Sequence, residues 1–213
     1  VLWLTMLMTV IAGGFAYSMR TEALAARNAL SLAQARAEAD GAIARMAFEL
    51  QRPRTQPDVW VADGAPHAWQ DGDAAITAAA VDESAKIDIN TAAEPLLKGL
   101  LQNVGGLDAE AAQKLSDAIA DWKDADEQRR PNGAEAAEYQ AAGLKYVPAN
   151  GPFDTVGDLQ RVLGMTPALF TKIAGTLTVQ SRIPGVNTQM ASREVLLALP
   201  GATAETVDAY IAQ

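Results

Sequence analysis

The first 19 residues form one uninterrupted apolar stretch, which ends at Arg20. Residues 1–19 carry no charged side chain. As an α-helix they would span about 29 Å, close to the hydrocarbon thickness of a bilayer. Trp3 and Tyr17 stand near the two ends, where interfacial aromatic residues are common. The pattern predicts a membrane-spanning helix; a cleaved secretory signal and a buried helix of a soluble protein are the alternatives.

The helical pattern continues well beyond the apolar stretch. From Ser18 to Gln51 there is no Pro, Gly41 is the sole Gly, and strong helix formers dominate. Pro53 is expected to stop the helix. We therefore predict one helix of about 50 residues that starts in lipid and continues into water.

Short alternating segments after Pro53 predict a small sheet. Residues 74–81 alternate around Ile76, and residues 86–89 alternate polar and apolar side chains. Residues 82–85 lie between them and resemble a turn, so the two segments are expected to pair as a hairpin. Residues 177–179 predict a further strand.

Helix start signals dominate between these strands. Thr91 and Glu94 have capping-box spacing, Asp108 and Thr155 can cap further helices, and Pro167 suits a first helical turn. Gly-containing turns separate the short helices, as in helix-hairpin-helix units. Such units in a membrane-anchored protein suggest a DNA receptor as one possible function.

Charge argues against nucleic-acid binding. The chain has 17 basic and 26 acidic residues, a net charge of −9. Residues 1–54 are net positive, so the acidic excess lies entirely in residues 55–213. Nonspecific binding to DNA needs an excess of positive charge. With no Cys, one His, and neither a nucleophile-elbow nor a phosphate-loop motif, we predict no catalytic residue and no enzymatic activity.

Acidic side chains are densest between residues 121 and 138. Six carboxylates lie in these 18 residues, and Arg129 and Arg130 lie among them. Calcium binds six to eight oxygen ligands and could convert the mutual repulsion into coordination. Salt bridges to the two arginines are the alternative, and the residues alone leave both open.

Several segments, in this order, resemble the minor pseudopilin K family (GspK) of bacterial type II secretion systems. Its most specific part is D-W-x-D-x-D followed by G-A-E. The segments are Val81 to Ala92, Ala118 to Asp126, Gly133 to Glu135 with Tyr139, Tyr146 to Asn150, Phe153 to Val156, Gly164 to Pro167, and Val186 to Thr188.

The resemblance implies an α+β fold with a long pilin-type helix. Residues 1–19 would be its transmembrane half and residues 20–52 its periplasmic half. Residues 53–90 and 177–213 would form a pilin-like head with a small antiparallel sheet, which is expected to continue past Gln213. Residues 91–176 would be an inserted all-α, helix-hairpin-helix-like domain. A leader peptide is expected to precede Val1.

The resemblance also implies location, partners and a metal. The chain would be a single-pass protein of the bacterial inner membrane with its C-terminal region in the periplasm. Its partners would be the I and J minor pseudopilins at the pseudopilus tip, and the major pseudopilin, with no nucleic acid. A structural Ca²⁺ would be bound by Asp121, Asp124, Asp126, Glu135 and Asn150. A minor pilin of a type IV pilus is the remaining alternative.

Overall fold

The computed structural model describes residues 1–212, and its backbone contacts divide into two compact units. The first unit is Val1–Ala80, and the second begins at Val81. The predicted α+β class, with a long N-terminal helix and a small antiparallel sheet, is confirmed.

Helix α1 (Leu2–Leu50) dominates the first unit as one continuous helix of 49 residues. It ends just before Pro53, whose ring lacks the N–H that a continuing helix requires. Its apolar N-terminal part is long enough to cross a membrane, and no residue of that window is buried within the protein. Only Ala42 and Met46, one turn apart near the C-terminal end, are buried in this helix.

A β-hairpin packs on the C-terminal part of α1. Strands β1 (His67–Asp71) and β2 (Ala74–Ala78) are antiparallel, and Gly72 takes the left-handed conformation in the turn. The Arg45 guanidinium of α1 lies 4.6 Å from the ring centre of Trp69. A cation–π contact therefore joins helix and hairpin.

The second unit contains short helices and two very short strands. They are β3 (Ile87–Asp88), α2 (Glu94–Gly99), α3 (Ala109–Lys123), α4 (Ala136–Ala141), α5 (Pro167–Ile173), β4 (Leu177–Thr178), α6 (Arg193–Leu197) and α7 (Ala204–Ile211). Short segments at Glu83–Ala85, Val156–Arg161 and Ala174–Thr176 are 3₁₀-helical, and Leu100–Val104 is a π-helical extension of α2. One apolar core, which includes Ile87, Leu100, Ile119 and Trp122, connects β3, β4 and helices α2 to α6.

The predicted hairpin between residues 74–81 and 86–89 is wrong. Strand β2 pairs with β1, whereas β3 pairs in parallel with β4, Ile87 opposite Leu177. Residues 82–85 form a capped 3₁₀ turn that redirects the chain. Alternation identifies a strand but not its partner, and the partner of β3 lies far along the chain.

Strands β3 and β4 bring the two ends of the intervening helical segment together. The chain therefore leaves and re-enters this strand pair at adjacent positions. The assignment of 91–176 to an insert, and of 53–90 with 177–213 to a head, stays a prediction.

Local helix signals had mixed outcomes. Asp108 caps α3 through a 2.8 Å bond from the Ala111 amide, and Thr155 caps the 3₁₀ turn that follows it, as predicted. The predicted capping box at Thr91 is wrong. The Thr91 hydroxyl donates to the Ile183 carbonyl instead, and α2 begins at Glu94. The Thr91 hydroxyl therefore binds a carbonyl that is distant in sequence instead of capping the helix that follows it.

Candidate functional site

The acidic segment leaves the end of α3 and folds back over it. Asp121 lies on the last turn of α3 and is fully buried. The backbone is extended at Asp124, which ends the helix. Residues 121–135, here called the acidic loop, therefore connect α3 to α4 through a tight reversal.

Arg130 lies between the first two carboxylates of the acidic loop. Its Nη1 donates to Asp121 Oδ1 at 2.7 Å and also to Asp124 Oδ2. Its backbone N–H donates to Asp121 Oδ2 at 3.2 Å. These hydrogen bonds raise the pKa of Arg130 further above its ordinary value, the contact to Asp124 contributing most. One guanidinium nitrogen thus bridges two carboxylates.

A second carboxylate of α3, that of Asp117, binds the acidic loop at Asn132. Asp117 is buried, a position that the sequence analysis did not single out. It accepts hydrogen bonds from the Asn132 side chain at 3.1 Å and from the Asn132 amide at 3.3 Å. Because Asp117 precedes Asp121 by one turn, one face of α3 binds two points of the loop. The i, i+4 spacing of Asp117 and Asp121 within a helix pattern was the available signal.

Glu135 closes the acidic loop at the start of α4. Only 7% of this residue is exposed. Its amide donates to Glu138 Oε2 at 3.0 Å, yet its own Oε1 is buried without a hydrogen-bond partner within residues 1–212. Burial, reinforced by the charges of Asp121 and Asp124, raises the pKa of Glu135 to about 7.

The other predicted ligands lie in different settings. Asp126 is exposed and accepts from the Gln128 amide at 2.8 Å, which forms a local turn. Asn150 is exposed in left-handed backbone at φ 48°. Across residues 1–212, no three carboxylates converge as metal ligands would. The calcium site stays a prediction. Two observations bear on it: Asp124 Oδ1 and Glu135 Oε1 are buried and have no hydrogen-bond partner in the described part of the chain.

An aromatic cluster lies behind the acidic loop. Trp122 is 1% exposed and stacks on Phe153, with ring centres 6.1 Å apart and planes at 12°. Tyr139 and Tyr146 pack against the same indole. The Tyr139 hydroxyl accepts from the Leu163 amide at 2.9 Å, so it connects α4 to the segment before α5. The Trp of D-W-x-D-x-D is therefore a core residue that anchors the loop.

Asn90 connects β3 to a segment far along the chain. Its Nδ2 donates to the Phe153 carbonyl at 3.0 Å, and its Oδ1 accepts from the Phe153 amide at 2.8 Å. Lys123 Nζ donates to the carbonyl oxygens of Ile89 and Asn90 at 2.9 and 3.0 Å. The end of α3, β3 and the aromatic cluster thus form one hydrogen-bonded unit around the site.

The helix-hairpin at the end of the chain is not a basic surface. Helices α6 and α7 meet at Pro200-Gly201, where Gly201 has φ 77°. Arg193, the basic residue of α6, pairs with Asp208 of α7 at 2.6 Å. This arrangement stabilises the hairpin and leaves no excess of positive charge for a phosphate.

Comparison with known proteins gives consistent matches. The family model described as type II secretion system, protein K, matches residues 22–182. The type II secretion system protein K of Klebsiella pneumoniae is 35% identical over 102 residues, which cover 46% of this chain and 31% of that protein. The Dickeya chrysanthemi protein of the same name is 33% identical over 100 residues, covering 46% and 27%. The match thus spans less than a third of the length of these curated relatives.

A solved structure shares the fold. It is the crystal structure of the GspK-GspI-GspJ complex from the type 2 secretion system of enterotoxigenic Escherichia coli. One of its chains superposes with a TM-score of 0.62 at 18% identity, covering 81% of this chain and 67% of that one.

Proposed function

Because the chain belongs to the type II secretion system protein K family, we propose that it is a minor pseudopilin that supports pseudopilus assembly and protein export. The observation that carries this proposal is the extent of the family match, residues 22–182, which includes α1 from residue 22 onward and the whole acidic loop. The protein acts by packing against other subunits and has no catalytic role. The comparisons favour neither the DNA receptor nor the type IV minor pilin.

The apolar part of α1 supports the proposed location. Residues 1–19 would cross the bacterial inner membrane once, with the remainder of the chain in the periplasm. Support comes from the length of α1, its uncharged first 19 residues and their exposure. Leu2, Trp3 and Met6 expose large apolar side chains that lipid would cover.

The proposed partners are the I and J minor pseudopilins, with this chain at the pseudopilus tip above the major pseudopilin. The structural relative comes from a complex of K, I and J subunits, and its fold matches 81% of this chain. Exposed apolar residues along α1, among them Leu24, Leu30, Ile43 and Phe48, provide surface for helix packing.

The test of this proposal is complex formation in solution. The full chain, purified in detergent, would be mixed with the I and J minor pseudopilins of the same system. Size-exclusion chromatography with light scattering should give one species with the mass of a 1:1:1 complex. A chain that elutes alone in every mixture would contradict the proposed partners. A salt-sensitive complex with duplex DNA would instead revive the DNA-receptor alternative.

We further propose that the acidic loop binds a structural Ca²⁺. Asp121, Asp124, Asp126 and Glu135 would supply oxygen ligands, and Asn150 is a further candidate. The observation in favour is that Asp124 Oδ1 and Glu135 Oε1 are buried and have no hydrogen-bond partner among residues 1–212, which costs free energy unless a cation or donor approaches. A bound cation would neutralise the loop and connect the end of α3 to the start of α4.

A further inference from the structure

Arg130 holds the position between two carboxylates that a cation would seek. Its Nη1 contacts Asp121 Oδ1 and Asp124 Oδ2 at once, whereas Asp121 has no exposed surface. The other basic residues nearby are already engaged: Arg129 pairs with Glu138, and Lys123 donates to two backbone carbonyls. Arg130 therefore supplies a positive charge to this carboxylate pair and offsets one of its two negative charges.

The remaining loop carboxylates show that this neutralisation is incomplete. Glu135 is 7% exposed and its Oε1 has no partner within residues 1–212. Asp124 Oδ1 is likewise buried and unpaired, although its other oxygen binds Arg130. The Arg130 guanidinium thus binds Asp121 and one oxygen of Asp124. It leaves Asp124 Oδ1 and Glu135 Oε1 without a positive partner within residues 1–212.

We propose that Arg130 is a built-in competitor for the divalent cation: it occupies Asp121 and Asp124 when the cation is absent and swings away when the cation binds. This inference rests on the proposed calcium site. A cation and a guanidinium cannot both occupy the space between two carboxylates, because their positive charges would repel at contact distance. The cation must displace Arg130 before the carboxylates can converge.

The position of Arg130 makes such a displacement possible. Its side chain is 39% exposed, so the guanidinium can move into water, and the incoming cation would replace it as the partner of the buried Asp121 carboxylate. Its backbone N–H also bonds Asp121, so the chain stays attached when the side chain leaves. Arg130 therefore lowers the affinity for calcium while protecting the calcium-free loop from carboxylate repulsion.

The first experiment compares calcium binding by matched variants. The full chain in detergent would be titrated with CaCl₂ by isothermal calorimetry as wild type, Arg130→Gln and Arg129→Gln. Arg130→Gln should bind calcium about tenfold more tightly, since the competitor is gone. Arg129→Gln removes the same charge from the neighbouring residue, which pairs with Glu138 at 3.4 Å, and should change Kd by less than about threefold.

The second experiment uses the wild-type chain and does not depend on a variant that folds. Phenylglyoxal modifies exposed arginines, and mass spectrometry would map the modified residues with CaCl₂ or with chelator. Calcium should increase the modification rate of Arg130 severalfold and leave that of Arg129 unchanged. An unchanged rate at Arg130 under calcium saturation would overturn the proposal.

The outcomes separate this inference from the calcium site itself. Equal Kd values in wild type and Arg130→Gln, or equal tightening in both variants, would leave the calcium site standing and overturn the role of Arg130. Weaker binding by Arg130→Gln would also overturn it, since Arg130 would then support the cation. No binding by any form would overturn both.

Discussion

The carboxylate of Asp121 fills the space that a side chain at residue 133 would need. A Cβ built on Gly133 would overlap Asp121 Oδ2, and it would lie 3.2 Å from the Arg130 Cβ. Gly133 is therefore required by close approach rather than by a left-handed backbone conformation. This contact explains why glycine begins the G-A-E segment.

Substitution of Gly133 should disrupt the acidic loop. Gly133→Ala would push the chain away from Asp121 and is expected to destabilise the protein by about 1–3 kcal/mol, the usual cost of overpacking. Guanidinium unfolding followed by tryptophan fluorescence would measure it. Gly151→Ala is the control, because its Cβ would meet only the Ala149 carbonyl oxygen at 3.8 Å. Equal stabilities of the two variants would contradict the steric explanation.

Replacing two loop carboxylates should reveal whether calcium stabilises the protein. Asp124→Asn with Asp126→Asn is expected to remove most of the calcium stabilisation, about 2–3 kcal/mol at a hundredfold excess over Kd. In chelator the change should be small, because a partly exposed ion pair such as Asp124–Arg130 contributes about 1 kcal/mol or less.

Thermal melts in calcium and in chelator would measure this difference. A double Asp71→Asn, Asp73→Asn variant removes the same charge from the exposed β1–β2 turn and is the matched control. The calcium proposal fails if the loop variant melts lower by the same amount in both conditions.

The two hydrogen bonds between Asn90 and Phe153 should contribute more to the free energy of unfolding than a surface hydrogen bond does. Asn90→Ala leaves the Phe153 amide and carbonyl without their partner, and Phe153 is 3% exposed. We expect a loss of about 2 kcal/mol, in the range for unsatisfied buried groups. Asn90→Asp keeps an acceptor for the Phe153 amide but loses the donor, so chemical denaturation should place it between wild type and Asn90→Ala.

Asn103 provides the control for Asn90. It donates one exposed bond, to the Leu197 carbonyl at 2.8 Å. Asn103→Ala should cost less than half as much as Asn90→Ala. A loss at Asn90 no larger than that at Asn103 would contradict the greater contribution expected of the Asn90–Phe153 bonds.

The carboxylate of Asp82 should stabilise the protein at neutral pH and lose this effect in acid. Hydrogen bonds from Ser84, with a smaller one from Asn187, hold the pKa of Asp82 below its usual range. A lowered folded-state pKa means that the stabilisation is present above the unfolded value of 3.8 and is lost as pH falls through the folded value. Asp82→Asn is expected to cost about 1 kcal/mol at pH 7 and progressively less below pH 4.

Urea unfolding at several pH values would test this expectation. Asp154→Asn, on an exposed residue, controls for the change in net charge. A loss that is the same at pH 3 and pH 7 would mean that shape, not charge, makes Asp82 important.

Some features of the protein follow from neighbouring residues alone. The uncharged start and the helix formers up to Gln51 predict α1, because helix propensity and hydrophobic length are local properties. Asp108 and Pro167 mark helix starts for the same reason, since a cap or a first-turn proline acts within a few residues. The D-W-x-D-x-D and G-A-E segments suffice to suggest the family.

Tertiary structure alone decided which distant groups meet. The pairing of Ile87 with Leu177, and of Asn90 with Phe153, joins segments whose separation no local pattern encodes. In the acidic loop, the residue types allow either a metal or salt bridges. The return of the chain after α3 brings Arg130, rather than Arg129, between Asp121 and Asp124. Long-range contacts depend on how the whole chain packs, so they become visible only in the folded structure.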